Sequence, residues 1–90
     1  MYSLFYKLNI DKIFKNLAKK NPKQFEIIAK KLEYIVKDLY RFKNLWYSLN
    51  NLKRVYIYSH FVLTFSIDDD AKTVILEDYD HHNKIYKRKR

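Results

Sequence analysis

The sequence has 90 residues, 19 Lys/Arg against 10 Asp/Glu for a formal charge of +9, and neither cysteine nor glycine. That length makes one small domain, read as residues 1–90 with a basic tail at 87–90, and a composition 48% apolar marks it as globular rather than disordered. Without cysteine there is no disulfide or thiolate zinc site, without glycine no Walker or Rossmann loop, and no apolar run reaches the roughly 18 residues of a membrane span.

Residues 2–8, short and aromatic, read as a strand. Asn9 or Asp11 can cap a first helix whose apolar stripe is Ile10, Ile13, Phe14, Leu17 and Ala18, ending near Asn21-Pro22. Proline suits the first turn of a new helix, Asn21 can cap it, and Gln24 stands three residues on, as in a capping box. That second helix, the longest element, repeats Phe25, Ile28, Ala29, Leu32, Ile35, Val36, Leu39 and Phe42 at helical spacing. Two helices joined so tightly are expected to pack as an antiparallel hairpin.

Leu45 to Asn51 is a connector with Asn50-Asn51 as its turn. From Leu52 the apolar period becomes two, giving strands at about 52–58, 61–67 and 73–79, with turns at Ser59-His60 and Asp68 to Ala71. The acidic triplet lacks the glycine and distal glutamate of a calcium loop and reads as a plain turn. In the middle strand Phe61, Leu63, Phe65 and Ile67 share one face, for the helices. Val62, Thr64 and Ser66 share the other, with Arg54 and Tyr56 from the neighbouring strand. The expected fold is α+β: an N-terminal strand, then a helix hairpin on one face of an antiparallel sheet (β-α-α-β-β-β), the opposite face open to a ligand.

After the apolar run Val74-Ile75-Leu76 comes Asp78-Tyr79-Asp80-His81-His82-Asn83-Lys84-Ile85-Tyr86, then Lys87-Arg88-Lys89-Arg90. Histidine is the side chain whose ordinary pKa lies nearest neutrality, so a pair at a strand exit is suited to proton transfer, and tyrosine offers a face for stacking. A solvated loop is the plainer reading of the same residues. Residues 1–43 carry 11 Lys/Arg against 4 acids, 44–80 carry 3 against 6, and 81–90 carry 5 against none. A basic, tyrosine-rich domain points to a polyanion such as RNA or DNA, with a lysine-rich solubilising surface as the competing explanation.

The order of strand, helix hairpin, three-stranded sheet, His-rich exit and terminal tyrosine resembles the RelE/ParE superfamily of toxins, and within it the RelE branch. The resemblance is carried by Leu52-Lys53-Arg54-Val55-Tyr56-Ile57, by His60 through Asp68, and by Val74 through Tyr86. It implies a toxin of a type II toxin–antitoxin system, a cytoplasmic, metal-independent endoribonuclease that cuts mRNA in the ribosomal A site and is neutralised by a cognate antitoxin. It implies no cofactor and no membrane, and the sequence shows no metal-ligand cluster. By position, Arg54 matches the family's arginine at the start of the hairpin, Tyr86 its terminal aromatic, and His81 and His82 the polar residues just before it. Where many relatives carry an arginine in the central strand, this chain has Val62; His60 and Arg54 are the candidates to compensate, and otherwise catalysis falls below the family norm.

The candidate catalytic residues are therefore Arg54, His60, His81, His82 and Tyr86, and the candidate RNA contacts are Lys43, Lys53, Lys84, Lys87, Arg88, Lys89 and Arg90. The partners implied are the antitoxin, the ribosome and mRNA. Two alternatives keep the fold: a ParE-like inhibitor of DNA gyrase, which needs no proton-transfer pair, and a non-enzymatic basic RNA-binding module, which would suit Val62.

Overall fold

The computed structural model describes residues 2–39, 42, 52–58 and 60–88. They form β1 (Ser3–Tyr6), α1 (Leu8–Lys20), α2 (Pro22–Lys37), β2 (Lys53–Ile57), β3 (Phe61–Asp68), β4 (Thr73–His81) and α3 (His82–Arg88). The α+β class and the order of the first six elements follow the sequence pattern. The helix α3 is additional, and the Leu45–Asn51 connector lies outside the described residues.

Asn9 and Asp11, expected as caps, lie inside the first turn of α1. The cap position is Lys7, whose backbone is already extended and whose side chain makes no capping bond. Only one residue separates β1 from α1, so the helix begins before either expected cap is reached. Asn9 Nδ2 donates instead to the Glu77 carbonyl at 3.3 Å, and Asp11 pairs with Lys15 at 3.0 Å. At α2 the expected cap is present: Asn21 Oδ1 accepts from the Gln24 N–H at 3.2 Å, and Asn21 Nδ2 donates to Gln24 Oε1 at 3.0 Å. This helix ends at Lys37, short of the expected stripe, yet Leu39 is still buried and Phe42 meets Phe65 edge-on at 5.8 Å. Ala18 and Ala29 face solvent.

The sheet order is β1-β4-β3-β2. The three later strands pair antiparallel, as their alternation suggests, and β1 joins β4 in parallel, which makes the sheet mixed. Ile10 and Phe14 from α1 and Ile28, Leu32 and Ile35 from α2 meet Val55, Ile57, Leu63, Phe65, Val74, Leu76 and Tyr79 in one core. Phe14 is its aromatic hub, edge-on to Tyr6, Phe25 and Tyr79 at about 6 Å.

One irregularity places the rest of the molecule. Thr64 pairs with Asp78 but Phe65 pairs with Leu76, so Glu77 is an extra residue in β4. Strict alternation after Val74 and Leu76 would aim Asp78 and Asp80 into the core. The bulge reverses the phase: Tyr79 is buried in the core, and both aspartates turn to the opposite face. Glu77 is held there by Ser66 Oγ, which donates at 2.6 Å, and by Lys7 Nζ at 2.5 Å.

With no glycine in the chain, two turn positions are taken by other residues in left-handed backbone, Tyr58 (φ 56°) and Lys72 (φ 52°). The acidic turn is closed by Asp68 Oδ1, which accepts from the Ala71 N–H at 3.1 Å, and tied to the N-terminus by Tyr2 Oη, which donates to Asp69 Oδ1 at 2.6 Å.

Candidate active site

The face opposite α1 and α2, expected to be open, is covered at its centre by α3. Ile85 and Val62 are both fully buried against each other, with Leu52 and Tyr86 packed alongside. Val62, which the resemblance matches to a central-strand arginine position, is thus a packing residue under α3. An arginine here would have to displace Ile85.

Arg88 fastens the far end of this helix. Its Nε and Nη2 donate to Asp78 Oδ2 at 3.2 and 3.0 Å, and its Nη1 donates to Asp80 Oδ2 at 3.0 Å. Both acids are available only because the bulge turned them to this face. Burial alone would raise the Asp80 carboxyl; the His81 N–H, the Arg88 guanidinium and the charge of Lys84 outweigh it and hold it below the usual carboxylate range. The same pairing raises the Arg88 guanidinium, against the burial that would lower it. Arg88, expected in an RNA-contacting tail, is spread across two carboxylates. Lys84 and Lys87 are exposed on α3, Lys53 Nζ donates to the Phe42 carbonyl at 3.4 Å, and Lys43, Lys89 and Arg90 lie outside the described residues.

Beside the Val62–Ile85 contact stands a first candidate group. The Tyr56 and Tyr86 hydroxyls are hydrogen-bonded at 3.0 Å, and the Arg54 guanidinium lies over the Tyr56 ring at 5.3 Å. Arg54 and Tyr56, two apart on β2, necessarily share a face. Partial burial, and then the Tyr56 hydrogen bond, push the Tyr86 phenol above its ordinary value, while the Arg54 charge pulls it down. A cation, a stacking ring and a neutral hydroxyl therefore occur together at the edge of the sheet. Tyr56 was absent from the candidates; its alternation with Arg54 is the signal that includes it.

The histidines form a second group, at the end of the β3–β4 hairpin. Pairing of Phe61 with His81 and the His82 N–H donating to the His60 carbonyl at 2.8 Å bring residues 60, 81 and 82 together. The His60 and His81 rings stack at 6.0 Å and 3°, and those of His81 and His82 at 4.7 Å and 25°. A ring nitrogen from each lies within 4.8 Å of the others, so the expectation of no metal-ligand cluster gives way to a three-imidazole set. Sequence spacing could not show it, because the hairpin register joins residues far apart in the chain.

The two groups do not lie on one face. His81 alternates with Asp80 and meets Phe61 edge-on at 5.9 Å, on the side of Tyr79 and the helices. Arg54, Tyr56, Asp78 and Asp80 lie on the α3 side. His82 links the groups, since it stands four residues before Tyr86 on α3 and helical spacing puts residues i and i+4 side by side.

No family model matches the chain. A protein of Methanocaldococcus jannaschii named "Putative toxin RelE4" is 43% identical over 90 residues, covering 100% of this chain and 96% of that one. Two solved structures share the fold: the isolated Escherichia coli RelE toxin (TM-score 0.72, 16% identity, 100% of both chains) and the heterotetrameric YoeB–YefM toxin–antitoxin complex of Staphylococcus aureus (TM-score 0.73, 15% identity, 91% of this chain and 98% of that one). Among the described residues, no helix is long and apolar enough to cross a membrane.

Proposed function

This chain belongs to the RelE family of toxins, and from that premise we propose that it is an endoribonuclease that cuts mRNA on the ribosome and is silenced by a cognate antitoxin. The observation that carries the reading is the Arg54–Tyr56–Tyr86 group. It sets a fixed positive charge beside a ring on which a splayed base can stack, the usual way single-stranded RNA is held.

The reaction assigned to the site is transesterification. A base takes the proton from a ribose 2′-hydroxyl, whose oxygen attacks the adjacent phosphorus. The P–O5′ bond breaks, leaving a 2′,3′-cyclic phosphate, and an acid protonates the departing 5′-oxygen. Arg54 neutralises charge on the phosphoryl oxygens. Tyr86 stacks on the base, and its neutral hydroxyl can donate toward the phosphate. Of the two histidines, His82 is the better proton carrier, because it alone shares the α3 surface with Tyr86. Lys84 and Lys87 supply sequence-independent attraction to the RNA backbone.

An antitoxin partner suits the apolar surface left uncovered around β1 and the helices: Phe5 is 56% exposed, Leu8 71% and Tyr34 58%. The Staphylococcus aureus fold relative was solved with its antitoxin, which supports the same arrangement here.

The test is induction of the chain in a host, with growth followed and mRNA ends mapped by primer extension. Growth arrest with new 5′ ends inside translated frames, relieved by co-expression of the neighbouring small gene, is the expected result. Arrest with intact mRNA and impaired DNA supercoiling would replace the reading with gyrase inhibition.

A further inference from the structure

We propose that His60, His81 and His82 form a binding site for a single divalent transition-metal ion of the zinc, cobalt or nickel class. Three imidazoles with ring nitrogens within 4.8 Å of one another are close to the arrangement such an ion needs. At a metal–nitrogen distance of about 2.0–2.1 Å, tetrahedral ligands stand about 3.4 Å apart, so the rings must close by little more than about 1 Å. The rings are stacked in near-parallel planes, so binding also requires them to turn about χ1 and χ2 until their lone pairs converge.

The backbone beneath them is set. His60 is tied to His82 by the 2.8 Å bond between carbonyl and N–H, and His81 is the last paired residue of β4, opposite Phe61. His81 Nδ1 accepts from the Asn83 N–H at 3.3 Å, which puts a lone pair on that nitrogen in the neutral ring. The contact is long for a hydrogen bond, and an ion could take its place at small cost. The donor set decides the class of metal. Three nitrogens select zinc, cobalt, nickel or copper over magnesium or calcium, which take oxygen. Asp80, the nearest acid in sequence, is occupied by Arg88 and by the His81 N–H at 2.7 Å. His60 is exposed and the other two half-buried, so a fourth position would face solvent and take water.

Ion binding is measured directly and so is tested apart from the cleavage reading, with which it competes for His82: a ring nitrogen that holds an ion cannot at the same time carry a proton. The untagged full-length chain is stripped of metal, dialysed and titrated with zinc chloride by calorimetry, and separately with cobalt chloride by absorption. The expected result is one ion per chain, intense tetrahedral cobalt bands, and a melting temperature that rises with zinc concentration. His60→Ala, His81→Ala and His82→Ala should each weaken zinc binding at least about tenfold and abolish the cobalt bands. Because His60 sits on an exposed turn, His60→Gln serves as a second variant, with circular dichroism reporting the fold. Asp69→Asn and Asp70→Asn should leave binding unchanged. Zinc affinity that is equal in parent and folded His60→Gln, or that falls with the aspartate variants instead, would overturn the site.

Discussion

The Tyr56 and Tyr86 hydroxyls are hydrogen-bonded across the gap between β2 and α3, at 3.0 Å. The bond orients the ring that the proposed reaction uses for stacking, and it helps keep that phenol protonated. Tyr86→Phe should retain base stacking and lose only the hydroxyl. Tyr86→Ala should lose about 1–3 kcal/mol of stacking per base. Comparing the RNA affinity of the two variants separates the roles; equal losses would assign Tyr86 to the hydroxyl alone. Since Tyr86 is shifted upward, no alkaline fall in activity below about pH 10 should trace to it.

Replacing both His81 and His82 by alanine should lower mRNA cleavage by roughly two to four decades if one of them moves a proton. The i,i+4 relation to Tyr86 assigns most of that loss to His82→Ala and little to His81→Ala. Folded single variants assayed on translating ribosomes would check this, and a larger effect at His81 would shift the proposed centre toward the helix side of the sheet.

Gln24 and Tyr79 are both buried, and Gln24 Nε2 donates to the Tyr79 hydroxyl. Tyr79→Phe strands a buried amide and should cost about 1–3 kcal/mol in a denaturant titration. Burial raises the Tyr79 phenol to about 12, only partly offset by the Gln24 hydrogen bond. The unfolded chain therefore ionises first, near pH 10. The stability tied to this group is complete below that and is lost as the pH climbs toward 12. Tyr79→Phe should flatten that alkaline limb.

Arg88→Gln removes the fork to Asp78 and Asp80. Exposed ion pairs contribute about 0–1 kcal/mol each, so global stability should fall only slightly while amide exchange in α3 accelerates. Asp80 is depressed in the folded state, so its contribution is present above the ordinary carboxylate pKa of about 4 and is lost as the pH falls below it. Acid should therefore loosen α3 in the parent and do so less in Arg88→Gln, where the His81 N–H still holds Asp80, as read by exchange at Ile85.

Helix and strand positions are legible in the sequence because apolar period reports burial. Ile28, Leu32 and Ile35 repeat at helical spacing and are buried; Leu63 and Phe65 repeat at strand spacing and are buried. The α3 helix is not legible in that way. It has seven residues, and among them only Ile85 and Tyr86 are apolar, too few for a period. The bulge does leave a trace, since the buried positions of β4 run Val74, Leu76, Tyr79 and break the alternation at Glu77. The histidine cluster leaves none, because proximity of His60 to His81 exists only once the hairpin register is fixed. The opposed faces of Arg54 and His81 follow from the same missed phase change.

The extra residue at Glu77 also bears on how this chain can diverge. Between Leu76 and Tyr79 the bulge absorbs one residue beyond strict alternation, so one can be lost there without changing the face of any later side chain. Deleting the extra residue would heal the bulge into a regular ladder that keeps Tyr79 inward and Asp78 and Asp80 on the α3 side; what is lost is Glu77 and its bonds to Ser66 and Lys7. A second inserted residue would need a second bulge or would turn every later side chain to the wrong face, so related chains are expected to tolerate the loss of one residue here more readily than the gain of one.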